Sequence, residues 1–135
     1  MGAKEYLVNI RRIREIIRED ERQIQEIEEK ILQPAGIDYG KEKVKESFKP
    51  GDPVLKAIEL REELTARKAD YFAQVKAARD LIHQIDNRRA AVVLIEYYLY
   101  DKTPGEIALT HHMSDRHIRR LHDEGLNELE NIMNL

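Results

Sequence analysis

Four side chains in one short stretch have the chemistry to hold a polyanion: Arg116, His117, Arg119 and Arg120. A guanidinium is a planar fork of donors that can engage guanine N7 and O6 together or clamp a phosphate. Just ahead stand Ser114, a good helix N-cap, and Asp115, whose charge suits the positive end of a helix. On a helix opening there, Ile118, Leu121, Leu126 and Leu129 point one way and the four basic residues another. The first turn of such a helix reaches base edges when it lies in a major groove. Arg116 and His117 are therefore the expected readers, Arg119 and Arg120 can read or hold phosphate, and Ser114 completes the DNA-binding set.

Other chemistries have less support. His111, His112, His117 and His122 are spaced by one, five and five residues, which does not put three rings on one helix face, so no metal site is expected. The chain has no Cys, which excludes a disulfide scaffold and a thiolate zinc centre. Tyr97, Tyr98 and Tyr100 suit core and surface better than a base-stacking platform. No paired carboxylates, no nucleophile with a base and no Gly-rich phosphate loop stand out. The expectation is a protein that is not an enzyme and needs no cofactor.

The basic segment must be positioned by what precedes it. Thr103-Pro104-Gly105-Glu106 has the pattern of a capping box with Pro at the first helical position, predicting a helix over Pro104–His111. A small residue, Ala108, would let a second helix cross closely. Asn87–Tyr100 and Asp115–Ile132 are the flanking helices, and two short helices separated by three or four residues, the second with a basic outer face, make a helix-turn-helix pattern.

Upstream the pattern changes. Lys4 to Gln33 contains no Gly or Pro, and Tyr6, Ile10, Ile13, Ile17, Ile24, Ile27 and Ile31 recur in alternating steps of four and three, with Asp20 out of character. That is a heptad seam, on a helix roughly 45 Å long, which needs a partner along its length. Pro34, Gly36, Gly40, Pro50, Gly51 and Pro53 punctuate a Lys-rich connection (Lys41, Lys43, Lys45, Lys49) with room for a short helical turn around Lys41 to Ser47. Its basic residues could touch DNA backbone. Asp52 then caps a second long helix, with Pro53 in its first position, running from about Val54 to Ile85. Its apolar line is Ile58, Leu64, Tyr71, Val75, Ala78, Ile82 and Ile85, widened by Phe72 and Leu81. Two long helices joined by one loop should lie antiparallel, and a second copy of the chain can cover what they leave exposed.

Composition agrees with an all-α chain: 135 residues, 36% charged, 41% hydrophobic, no Trp. No apolar run approaches the ~20 residues of a membrane span, and the N-terminus lacks a signal-peptide pattern, so a cytoplasmic protein is expected. The formal net charge of −3 argues against non-specific coating of nucleic acid, but leaves room for a small local DNA-reading surface.

Asn87–Leu129 resembles the last region of sigma-70-type factors. The likeness rests on the Tyr98-Leu99 pair ending a helix, the short polar turn, Glu106-Ile107-Ala108, and Ser114 followed by Ile118-Arg119-Arg120. With Tyr6-Leu7, the spaced Ile and Arg residues and Gly51-Asp52, the whole chain is similar to small phage and prophage proteins of Gram-positive bacteria, some of them late-gene regulators of the ArpU and RinA type. His111 stands where that pattern usually has a core Leu, and His112 where it has Gly. The resemblance implies a bacterial host cell and host RNA polymerase as a second partner.

These readings together give an all-α fold. A long antiparallel helical hairpin, residues 1–86, serves as a coiled-coil stem for a homodimer or higher oligomer, and a three-helix helix-turn-helix module follows at residues 87–135. The expected function is a sequence-specific transcription regulator on double-stranded DNA, with no membrane partner. Two rivals stand beside it. Residues 87–135 hold six Lys plus Arg against eight Asp plus Glu, which favours a module gripping polymerase or another regulator without touching DNA. A phage packaging adaptor would instead form a ring larger than a dimer.

Overall fold

A chain this rich in helix-forming residues, with Gly and Pro gathered in a few places, should break into helices only where caps allow, and it does. The computed structural model describes residues 2–31 and 52–134. Among them the regular elements are all helices: α1 Ala3–Ile31, α2 Pro53–Ile82, α3 Arg88–Leu94 with a wider turn over Ile95–Leu99, α4 Pro104–His111 and α5 Asp115–Met133. The Lys-rich connection, with its short helical turn at Lys41 to Ser47, lies outside the described residues. No helix among the described residues is long and apolar enough to cross a membrane. Contacts group the residues into two compact units, Glu15–Asp70 and Met1–Arg14 with Tyr71–Leu135.

In the unit Glu15–Asp70 the buried line is Ile17 and Ile24 from α1 with Ala57 and Leu64 from α2. Asp20, the polar break in the α1 seam, is ion-paired with Arg67. Lys68 pairs with Glu21, and Arg61 reaches Glu28 at 2.5 Å. Such exposed pairs are worth about 0–1 kcal/mol each. A fully buried Ile or Leu contributes about 1.5–3 kcal/mol, so the apolar seam supplies most of the association and the pairs set its register.

The register corrects the sequence reading in detail. Ala57, not Ile58, is buried on α2, and Ile58 is 42% exposed. The buried line continues through Leu64, Tyr71 and Ala78 at heptad spacing. Phe72, expected to widen it, is 64% exposed. Near the start of α1 the buried residues are Ala3 and Leu7, while Tyr6 is half-buried. A reading weighted towards bulky residues misplaces a line that includes small ones such as Ala57 and Ala78. Asp52 caps α2 as expected, accepting the Val54 N–H at 2.8 Å, with Pro53 in the first position. The helix stops at Ile82 rather than Ile85, and Ile85 is buried after the turn.

In the other unit Ala3, Leu7 and Ile10 of α1 and Ala78 and Ile82 of α2 are buried together with the three C-terminal helices. The Glu130 carboxylate accepts the Ala3 N–H at 2.5 Å, so α5 supplies a cap for α1. Arg14 donates from Nε to the Tyr71 hydroxyl at 2.9 Å. The Arg11 guanidinium lies over the Tyr97 ring, 4.7 Å from its centroid, and pairs with Asp101 at 3.2 Å.

Candidate nucleic-acid interface

Three local sequences fix the C-terminal helices. Asn87 caps α3 through its side chain, which accepts the Ala90 N–H at 3.2 Å. At Thr103 the capping box is complete: the Glu106 N–H donates to Thr103 Oγ1 at 3.1 Å, and the Thr103 N–H donates to Glu106 Oε1 at 3.5 Å. Ser114 caps α5, accepting the His117 N–H at 3.1 Å. Between α4 and α5 only His112, Met113 and Ser114 intervene. His112 takes the left-handed conformation, φ 57°, that ends α4, and the Met113 N–H returns to the Ala108 carbonyl at 2.9 Å. This is the turn conformation that the expected Gly would adopt freely and that His adopts at a cost.

Packing then fixes where α5 points. Ala90 and Val93 of α3, Ile107 and Ala108 of α4, and Ile118 and Leu121 of α5 form one buried cluster, flanked by Tyr97 and Met113. Ala108 plays the small-residue part expected of it. Gly125 plays a second: a Cβ there would lie 3.1 Å from Leu94 Cγ and 3.3 Å from Ala90 Cβ. The α3 segment departs from the expected single helix Asn87–Tyr100. After Leu94 the turn widens, with the Tyr100 N–H donating to the Ile95 carbonyl at 3.1 Å, and Ile95, Tyr98 and Leu99 are all buried.

The polar side chains inside the unit are matched to partners. The Tyr98 hydroxyl lies 2.7 Å from His122 Nε2, and His122 Nδ1 lies 3.1 Å from Asp123. The carboxylate accepts from Nδ1, which leaves Nε2 to accept from the phenol. Burial pushes the Tyr98 phenol up to about 12. His111 is half-buried rather than a core residue: its Nε2 sits 2.7 Å from Glu96, which also meets Lys102 at 3.4 Å. The Tyr trio divides into Tyr98 buried, Tyr97 half-buried and Tyr100 exposed.

Each of the sequence-selected residues lies in the first two turns of α5 or at its cap. Arg116, Arg119 and Arg120 are exposed, as is Ser114, and His117 is half-buried. Arg116 and Arg120 are one turn apart, away from Ile118 and Leu121. Arg120 is partly engaged: its Nη2 donates to His117 Nδ1 at 2.8 Å, and its Nε lies 3.8 Å from Glu124. With Nδ1 accepting, the neutral His117 ring carries its proton on Nε2 and presents a donor there. Arg119 edges a hollow of about 180 Å³ beside Tyr97 and His122. Among the described residues, Arg116 and Arg119 have no hydrogen-bond or ion-pair partner.

The acids of α5 are distributed differently. Beyond Arg120, Asp123 meets His122, Glu124 accepts from the Asn87 carboxamide at 3.4 Å, Glu128 from the Asp86 N–H at 3.1 Å, and Glu130 from Ala3. All four are engaged with protein donors, three of them on other segments. A count of charges along the sequence does not reveal these tasks. Nor does the basic run at Arg116 point to Arg88 and Arg89, both exposed, which line a hollow of about 220 Å³ with Val92, Met113 and Ile118. Their signal is two adjacent Arg directly after a capping Asn. Among the described residues no group of three His, Asp or Glu side chains could hold a metal ion. Compared with protein-family models, with curated proteins and with solved structures, the chain matches none of them.

Proposed function

We propose that residues 87–135 form a helix-turn-helix module and that the chain is a sequence-specific DNA-binding regulator, of the class suggested by its resemblance to phage late-gene regulators. α4 is the supporting helix and α5 the recognition helix, entering a major groove by its first two turns. Arg116 and the His117 Nε2–H face base edges, while Arg119 and Arg120 meet edges or phosphates. The observation that carries this reading is the division of charge on α5. Arg116 and Arg119 stand exposed and unpartnered among the described residues, while the acids beyond Arg120 are engaged with protein donors.

In this reading α1 and α2 form an antiparallel hairpin, supported by ion pairs that join 20 and 21 of α1 to 67 and 68 of α2 but the later residue 28 to the earlier residue 61. Ile16 and Ile58, 52% and 42% exposed, are apolar side chains of that hairpin that a second copy of the chain would cover. Two modules would then read two half-sites. Host RNA polymerase is the second partner that the resemblance suggests.

The engagement of Arg120 by Glu124 favours one rival, a module that grips another protein. Selection of bound sites from random duplex DNA at two salt concentrations separates the two. The DNA reading expects an enriched motif and affinity that falls steeply with salt, because phosphate neutralisation releases counterions. No enriched motif at either concentration would move the assignment to the protein partner.

A further inference from the structure

A helix lying in a major groove is flanked by phosphates on both sides, and the groove is only about 12 Å wide. Basic side chains on an element beside the recognition helix therefore meet backbone rather than bases. Arg88 and Arg89 are in that position. They open α3 immediately after the Asn87 cap and share a hollow with Met113, in the α4–α5 turn, and with Ile118, in the second turn of α5. Both are exposed, and among the described residues neither has a hydrogen-bond or ion-pair partner. The backbone beneath them is fixed by the cap and by Ala90, Val93 and Leu94, all buried. Two uncompensated guanidinium groups on a rigid support, beside the start of a helix that carries two more, have a structural role in neither unit.

We propose that Arg88 and Arg89 are phosphate contacts that anchor the module on duplex DNA. This rests on the DNA-binding reading and extends it to a second helix. The pair contributes affinity and orientation, and no sequence preference. Each guanidinium neutralises about one phosphate, so each should account for about one unit of the slope of log affinity against log salt.

The test uses the full chain with Arg88→Ala, Arg89→Ala and the double variant. Lys56→Ala serves as control, removing the same charge from an exposed site in the other unit. Affinity is measured for a selected duplex and a scrambled one across a salt series, with circular dichroism confirming an unchanged melt. The expected result is an equal loss on both duplexes, a slope lowered by about one for each Arg removed, and no change for Lys56→Ala. If the parent binds with a steep salt slope and the Arg variants keep it, or if Lys56→Ala lowers it as much, the anchor is overturned and the DNA reading stands. If the parent binds neither duplex at any salt, the DNA reading itself fails and the anchor with it.

Discussion

Gly125 and Leu94 touch where α5 crosses α3, so closely that a Cβ on Gly125 would sit 3.1 Å from both Cγ and Cδ1 of Leu94. Leu94 is fully buried, and Ala90 Cβ closes the other side at 3.3 Å, so neither neighbour has room to retreat. Gly125→Ala gains about 1 kcal/mol of helix propensity and meets an overpacking cost of about 1–3 kcal/mol. The expected net is a loss of about 1 kcal/mol, read from chemical denaturation. A more stable variant would mean that α3 yields at this crossing.

The Thr103 cap is a local device whose removal is felt only at α4. Thr103→Ala leaves the Glu106 N–H without its protein acceptor and should cost about 1 kcal/mol. An unchanged melting temperature would mean that α4 starts elsewhere.

Tyr98 couples stability to alkaline pH. Its folded-state phenol is pushed from 10.0 up to about 12 by burial first and by Tyr97 second. The folded state therefore holds this proton more tightly than the unfolded chain, and its contribution is complete below pH 10. It is lost as pH rises from there through about 12. Tyr98→Phe should be about 1 kcal/mol less stable at neutral pH, from the lost hydrogen bond to His122. It should also show a shallower fall in stability than the parent above pH 10. Parallel curves for the two proteins would remove Tyr98 as the cause.

How far the sequence carries depends on the range of the interaction. The caps at Asn87, Thr103 and Ser114 each involve residues three apart, and the helices following Thr103 and Ser114 begin where their motifs place them. Features set by packing are harder to read. Gly125 looks like a helix breaker in isolation, and only its proximity to Leu94 explains it. The widened turn after Leu94 has no local signature. The spacing of large residues runs the α2 seam through Ile58, although the buried residue is the small Ala57. The basic run from Arg116 to Arg120 is legible in the sequence. The engagement of Glu124, Glu128 and Glu130 by donors far off in sequence is not.

The proposed stem interface is open to a direct check. Ile16 and Ile58 are the large apolar side chains left exposed in the unit Glu15–Asp70 among the described residues. Sedimentation of the full chain at micromolar concentration should show a dimer or larger species, and Ile58→Lys should shift it towards monomer with helicity retained. A monomeric parent would end the dimer proposal, and a ring larger than a dimer would favour the packaging-adaptor reading.

Whether the start of α5 meets DNA turns on Arg116. Its side chain is exposed and unpartnered among the described residues, so Arg116→Ala should leave folding intact. The measurement is the affinity of the parent and of Arg116→Ala for a selected duplex and for the same duplex with single base changes. The expected result is a loss of about 1–3 kcal/mol on the selected site and a relaxed preference at one position. Equal affinity of parent and variant for the selected duplex, with preference unchanged at every position, would mean that this helix does not read DNA.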